Sequence, residues 1–327
     1  MILVVGGAGY IGSHVCRQLS RAGHEFVVLD NFEEGHRKAI DGFASFEGDL
    51  RNPDDLKRAL DKFPIRTVMH FAAYISVGQS VKQPGRYFRN NTVGVLNLLE
   101  AMVEANVEQF VFSSTAAVYG EPEYTPIDEE HPKAPTSPYG MSKLAVEQML
   151  PSFEAAHSLR SVCLRYFNAS GADPSAAIGE DHRVEEHLIP LAIFAAMGKR
   201  PMLKVFGTDY ETPDGTCVRD YIHVSDLATA HVKAVEHLNS GGASRQFNLG
   251  NGTGFTVRQV LETVEEVTGL PVPREDAPRR PGDPAKLIAS SERIRNELGW
   301  APEYGDLRTI VEHAWEWHRS HPNGYGD

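Results

Sequence analysis

Tyr139 and Lys143 stand four residues apart in Pro138-Tyr139-Gly140-Met141-Ser142-Lys143, a spacing that puts a phenol and an ammonium on one helix face. A phenol titrates near ~10 and is a poor base at neutral pH. A neighbouring ammonium, and the positive ring of an oxidised nicotinamide, would favour the phenolate and bring it toward the working range. Thr115, in Phe112-Ser113-Ser114-Thr115, adds a hydroxyl that can share a substrate proton in a short hydrogen bond. The chemistry this suits is proton removal from an alcohol. A Tyr-x-x-x-Lys pair is common by chance; its meaning comes from lying one loop beyond a predicted strand, where ligands sit in open α/β sheets.

A redox partner for that chemistry is suggested at the other end of the chain. Gly6-Gly7-Ala8-Gly9-Tyr10-Ile11-Gly12 follows a β-branched run and opens a helical one, the setting of a dinucleotide fingerprint. Glycine there allows the turn, the approach of backbone N–H groups to a pyrophosphate and the close packing of helix on strand, while the helix N-terminus favours anionic phosphates. Asp30 ends the second predicted strand, where a carboxylate accepts from the adenosine ribose and repels a 2′-phosphate, so NAD is expected rather than NADP. Asn31 follows without adding a cation, although Arg37 is near enough to leave NADP open. Asp49-Leu50 are candidates for the adenine edge, with an acidic helix cap as the alternative.

These groups need a frame. Strands are expected at 2–6, 25–29, 44–47, 67–71, 109–113 and 161–166, alternating with helices at 12–21, 53–62, 84–105 and 138–156. That alternation predicts an α/β fold with a doubly wound parallel sheet of Rossmann type. After about Ala169 the chain is richer in Pro, Gly and acidic residues, with helices at 225–238 and 257–268. The expected division is a dinucleotide-binding domain at 1–168 and a smaller C-terminal α/β substrate lobe at 169–327, with strands near Tyr166 and 218–222 as candidates to return to the main sheet. A net charge of −12 argues against nucleic acid and anionic membrane as partners. Three widely spaced cysteines, Cys16, Cys163 and Cys217, form no C-x-x-C pair and suggest a reducing compartment. With no basic leader before the first strand, the expected location is cytoplasmic.

Taken together, the glycine fingerprint, the Tyr139-x-x-x-Lys143 pair and the upstream hydroxyl resemble the extended short-chain dehydrogenases/reductases. Four stretches narrow the resemblance to the UDP-glucose 4-epimerases: the turn through Ser13-His14; His70-Phe71-Ala72-Ala73; Arg165-Tyr166-Phe167-Asn168; and Tyr210 through Asp214-Gly215-Thr216-Cys217-Val218-Arg219-Asp220-Tyr221-Ile222-His223-Val224. The similarity covers nearly the whole chain. The related 4,6-dehydratases carry an acidic pair beside the hydroxyl residue, where this chain has Ala116 and Ala117, so dehydration is disfavoured.

What the resemblance implies is inversion at carbon 4 of a UDP-hexose through a transient 4-keto sugar, with Thr115, Tyr139 and Lys143 catalytic. It implies cofactor contacts at Tyr10, Ile11, Asn31, Phe71, Ala72, Ala73, Asn90, Ser113 and Tyr166 besides the glycines. Toward the UDP-sugar it implies Arg219 and Arg280 at the phosphates, Asp283 at the uridine ribose, Asn168 at phosphate or sugar, and Phe206, Tyr221, His187 and Leu188 on the uridine side. Ile75 replaces a lysine near the cofactor, His187 replaces an asparagine, and Leu287 stands where side-chain size selects for or against an N-acetyl group. A 4-epimerase of UDP-N-acetylglucosamine or a UDP-pentose is therefore the alternative. A non-catalytic dinucleotide sensor would not need Thr115, Tyr139 and Lys143 in register. The apolar faces of 84–105 and 138–156 predict a homodimer through a four-helix bundle. Glu180, Asp181, His182, Glu185, Glu186 and His187 lack the i, i+4 histidine pair of a helical zinc site, so no metal is expected.

Overall fold

A computed structural model describes residues 1–280 and 283–326. Its frame is a seven-stranded parallel sheet. Six strands come early, β1 (Ile2–Val5), β2 (Phe26–Asp30), β3 (Ser45–Glu47), β4 (Thr67–His70), β5 (Gln109–Ser113) and β6 (Arg160–Tyr166). Alternation in these strands loads both faces. Ile2, Val4, Val28, Met69 and Val111 pack into one apolar cluster, and Leu3, Val5, Val27, Leu29, Val68, Phe110 and Phe112 into the other. Only a sheet covered by helices on both sides needs such continuously apolar strands.

Helix α1 (Tyr10–Arg21) buries Val15, Cys16 and Leu19 on the first face. Helix α2 (Pro53–Lys62) starts on an Asn52 cap and buries Leu56, Ala59 and Leu60 on the second. The expected helix at 84–105 is not uniform. After α3 (Val77–Lys82) come α4 (Pro84–Tyr87), a π-helical turn Phe88–Val93 and α5 (Gly94–Glu104). The wider turn aims Asn91 inward: its Nδ2 donates to the Tyr74 carbonyl at 2.9 Å and its Oδ1 accepts from Tyr74 N at 3.0 Å. Helix α6 (Pro138–His157) opens on a Ser137 cap that accepts from Gly140 N, with Pro138 at its first position.

The second lobe begins with β7 (Asn168–Ser170) and α7 (Leu188–Ala196), followed by β8 (Leu203–Phe206), β9 (Val218–Arg219), β10 (Tyr221–His223), α8 (Val224–Asn239), β11 (Arg245–Leu249), β12 (Phe255–Thr256), α9 (Val257–Thr268), β13 (Arg274–Ala277) and β14 (Lys286–Leu287). Its core gathers Ile189, Ile193, Val205, Val260, Leu261, Val264, Ile310 and Val311. Segment 218–222 does not rejoin the main sheet. Val218–Arg219 sits between β12 and β14, and Tyr221–His223 pairs with β7. It is β11 that returns, parallel to β6, giving the order β11-β6-β5-β4-β1-β2-β3. The order reverses between β1 and β4, so the crevice for a ligand opens there.

Candidate functional site

At that reversal the loops after β1 and β4 touch. A Cβ on Gly6, whose φ is +78°, would lie 2.4 Å from Ala72 N, and one on Gly12 would lie 2.3 Å from the Gly6 carbonyl oxygen. Gly9 is different: a Cβ there would meet nothing nearer than the Gly6 oxygen at 3.5 Å, so its outer side is open. Gly9 caps α1 with no side-chain hydrogen bond, and the first N–H groups of the helix, at Tyr10, Ile11 and Gly12, have no intrahelical acceptor. The turn therefore presents backbone donors and a dipole to an anion, and it fits a dinucleotide pyrophosphate. The Tyr10 side chain points elsewhere, donating to the Gly171 carbonyl at 2.7 Å.

Beside the turn, Gly6, Asp30, Asn31, Asp49, Leu50, Ala72 and Asn90 line one cleft, bringing together residues that the sequence scatters over about ninety positions. Asp30 is anchored, accepting from Ala8 N at 2.9 Å and Phe32 N at 2.8 Å. Burial raises its pKa, and those two N–H bonds and Arg37 oppose the rise. Arg37 pairs with Glu47 at 2.5 Å and stacks 3.8 Å over Phe32.

Within this cleft the Asp49 carboxylate accepts from Arg51 and Asn31, and the Arg51 hydrogen bonds hold it well below the usual carboxylate range. Arg51 also reaches Glu33 at 2.8 Å, Glu33 accepts from the Tyr74 hydroxyl at 2.5 Å, and Arg86 stacks 3.8 Å over Tyr74. Sequence reasoning missed this network because its members come from four separate segments and match no motif.

The catalytic candidates meet at the ends of β5 and β6. Lys143 is buried, donates from Nζ to the Ser113 carbonyl at 2.9 Å and lies 4.9 Å above the Phe112 ring. Burial pulls its pKa down to about 7, with Glu147 opposing. Tyr139 packs its ring against Tyr74, Tyr87 and Ala117. Burial pushes its phenol up to about 12, and a hydrogen bond with Thr115 works in the other direction. Desolvation outweighs the hydroxyl and Lys143 donates to a backbone carbonyl, so the expected depression of this phenol depends on the positive nicotinamide ring. Tyr166 shares the neighbourhood: burial raises its pKa, the nearby Tyr139 adds to the rise and a hydrogen bond with Ser113 opposes it.

Behind this trio lies a buried ion pair. Arg165 donates to Glu147 at 2.9 Å and 2.6 Å and to the Tyr119 hydroxyl at 2.9 Å, while Ser114 donates to Glu147 at 2.5 Å. It braces the strand end that carries Thr115. Phe71 packs its ring 4.9 Å from His231, whose Nε2 lies 3.1 Å from Ser113 Oγ, and Ala73 continues that loop toward Tyr74.

Across the crevice, Arg219 and Asp283 are paired at 2.5 Å, and Arg280 stacks 3.9 Å over Phe206. A guanidinium has five N–H donors, so Arg219 can keep that pair and still serve a phosphate. Leu287 lies opposite Arg219 in the ladder and packs near Phe167 and Val118. Asn168 is less available than expected, its Nδ2 donating to the Asp220 carbonyl at 2.8 Å. Tyr221 is buried in the lobe core beside Arg219 rather than open to solvent. His187, which precedes Leu188 at the start of α7, turns its Nδ1 to Glu185 at 2.9 Å instead of standing free as a donor. Pro281 and Gly282, inside the Arg279–Asp283 motif, lie outside the described residues.

Comparison with known proteins agrees with this arrangement. Residues 2–250 match the model of the NAD dependent epimerase/dehydratase family. The UDP-glucose 4-epimerase of Halalkalibacterium halodurans is 54% identical over 324 residues, covering 99% of this chain and 97% of that protein. The crystal structure of the Brucella ovis UDP-glucose 4-epimerase in complex with NAD superposes with a TM-score of 0.95 at 45% identity, covering 96% of this chain and 97% of the other. That of the Bifidobacterium longum enzyme in complex with NAD+ and UDP superposes with a TM-score of 0.93 at 38% identity, covering 99% of each chain.

Proposed function

Since the chain belongs to the NAD dependent epimerase/dehydratase family, we infer that it is an NAD-dependent enzyme that inverts carbon 4 of a UDP-hexose, interconverting UDP-glucose and UDP-galactose. What supports this reading is the hydrogen bond of Tyr139 with Thr115 and the Lys143 bond to the Ser113 carbonyl at the end of β5, next to β4, whose following loop closes on the Gly6–Gly12 turn. When bound, NAD supplies the acceptor and later donor of the carbon 4 hydride and a positive ring beside the phenol. As the phenolate, the form that the positive ring would favour, Tyr139 takes the proton of the 4-hydroxyl and returns it, and Thr115 keeps that oxygen in line through its hydroxyl. Lys143, held near neutrality in pKa by burial, adjusts its charge to the phenol with little cost.

Arg219, Arg280 and the Phe206 ring grip the UDP end, leaving the 4-keto sugar free to turn between its two faces. The assay is direct: the purified chain with UDP-galactose should give UDP-glucose without consuming added NAD, and NAD should be released on denaturation. Stoichiometric cofactor turnover would instead indicate a net reductase. Leu287, intermediate in size and packed against Val118, Tyr119 and Ile127, leaves UDP-N-acetylhexosamine open as a second substrate, to be tested in the same assay.

Arg280→Ala should raise KM for the UDP-sugar about 10- to 100-fold with kcat nearly unchanged, the loss of one charge-assisted contact made equally in ground and transition states. A fall in kcat with unchanged KM would remove Arg280 from this role. The assembly we propose is a homodimer. Val77, Val81, Phe88, Val93 and Met141 are exposed apolar side chains on α3, α4 to α5 and α6, the faces that would pair across a two-fold axis. Light scattering should give twice the chain mass over a wide concentration range; a monomer mass throughout would reject it. A cytoplasmic location is supported by three cysteines that are free and buried, as in a reducing compartment, and no described helix is long and apolar enough to cross a membrane.

A further inference from the structure

The loop between β7 and α7 folds four metal-ligating side chains onto one point. One ligand atom each from Glu180, His182, Glu185 and His187 lies within 4.8 Å of all the others. His187 Nδ1 is 2.9 Å from Glu180 Oε1 and 2.9 Å from Glu185 Oε1; His182 Nδ1 is 3.3 Å from Glu180 Oε1 and 3.2 Å from Glu185 Oε2. An imidazole Nδ1 carries at most one hydrogen, and both point at Glu185. Glu180 Oε1 is buried, on a side chain only 4% exposed, and lies 2.9 Å from His187 Nδ1 and 3.3 Å from His182 Nδ1, so a proton on either ring or a metal ion between them could meet it. A buried carboxylate oxygen in that condition is costly unless a cation meets it.

Geometry names the kind of cation. A tetrahedron with bonds of about 2.0–2.1 Å has edges of about 3.3–3.4 Å, close to the nitrogen–oxygen separations here, so closure needs shifts of order 1 Å. Two imidazoles with two carboxylates suit a borderline ion such as Zn2+ rather than Mg2+ or Ca2+, which prefer oxygen throughout. Two carboxylates, two neutral imidazoles and one divalent ion also sum to zero charge, which suits a largely buried place. The other polar neighbours are engaged: the Tyr10 hydroxyl donates to the Gly171 carbonyl, and Asp181 Oδ2 accepts from Tyr325 N at 2.8 Å.

We propose that Glu180, His182, Glu185 and His187 form a binding site for one divalent transition-metal ion of the zinc class, tying the loop to the start of α7. Spacing concealed it, because His182 and His187 are five apart on a loop and converge only through the fold. The site shares His187 with the uridine-side contacts that the resemblance implies, and it is tested without activity. Chelator-stripped full-length protein, dialysed against Zn2+, should take up one ion per chain, and Co2+ should give the intense visible absorption of a four-coordinate centre. Glu180→Gln and His182→Ala should each weaken Zn2+ binding by at least roughly 100-fold, more than loss of an outer-shell partner costs, with unchanged far-UV circular dichroism. No stoichiometric uptake by the wild type, as expected if the four side chains form only a proton-bridged charge cluster, would overturn the proposal. So would equal uptake by the wild type and both variants. Should one variant misfold, the other decides the matter together with the Co2+ spectrum of the wild type.

Discussion

Tyr139→Phe should lower kcat by about 10²- to 10⁴-fold, the range in which a positioned acid–base group contributes, while KM and bound NAD change little. The reasoning is local. The ring of Tyr139 is held by Tyr74, Tyr87 and Ala117, contacts that phenylalanine keeps, so only the hydroxyl beside Thr115 is removed. Its phenol is pushed up to about 12 by burial, so it acts well only when positive charge is close. Turnover measured with UDP-galactose, together with the NAD content of the purified variant, checks both halves. A rate within about tenfold of wild type would reject Tyr139 as the proton carrier.

Arg165→Met should destabilise the fold by about 3–5 kcal/mol, because it leaves the Glu147 carboxylate buried without its partner. The two side chains are 3% and 5% exposed, so water can do little to compensate. The double variant Arg165→Met, Glu147→Leu should recover much of the loss, since removing both charges takes away the desolvation cost as well. Urea denaturation at matched, saturating NAD measures this without cofactor linkage confusing the comparison. A loss below about 1 kcal/mol would mean that the pair is solvated in solution, as exposed pairs are.

Most of the dinucleotide half was readable in one dimension because each of its signals is local. Period-2 apolar runs, glycines between strand and helix, and a proline opening α6 all act within a few residues, and six strands and α1, α2 and α6 fall where expected. The π-helical turn at Phe88–Val93 was not readable, for its cause is tertiary: Asn91 must reach the backbone of Tyr74. The return of β11 rather than 218–222 escaped for a similar reason, as both are short β-rich runs and only packing chooses between them. At the site, residue types singled out Tyr139, Lys143 and Thr115, and the fold brings them together beyond the end of β5. The balance of forces on them did not follow, because burial, which sets Tyr139 high and Lys143 low, is invisible until the fold surrounds them. Arg51, Glu33 and the four-residue cluster around Glu180 are contacts between loops, and loops carry no period to read.

The return of Arg245–Leu249 to the edge of the central sheet has a consequence for dissection of the chain. A fragment stopping near residue 168 would uncover the whole flank of β6, an unprotected row of amide donors and acceptors able to recruit further copies. It would also strip α8 from its place against α1 and the sheet. The chain before and after residue 168 is thus interlaced rather than joined end to end, so neither part is expected to be excised or exchanged as a module, and their unfolding is expected to be a single cooperative event.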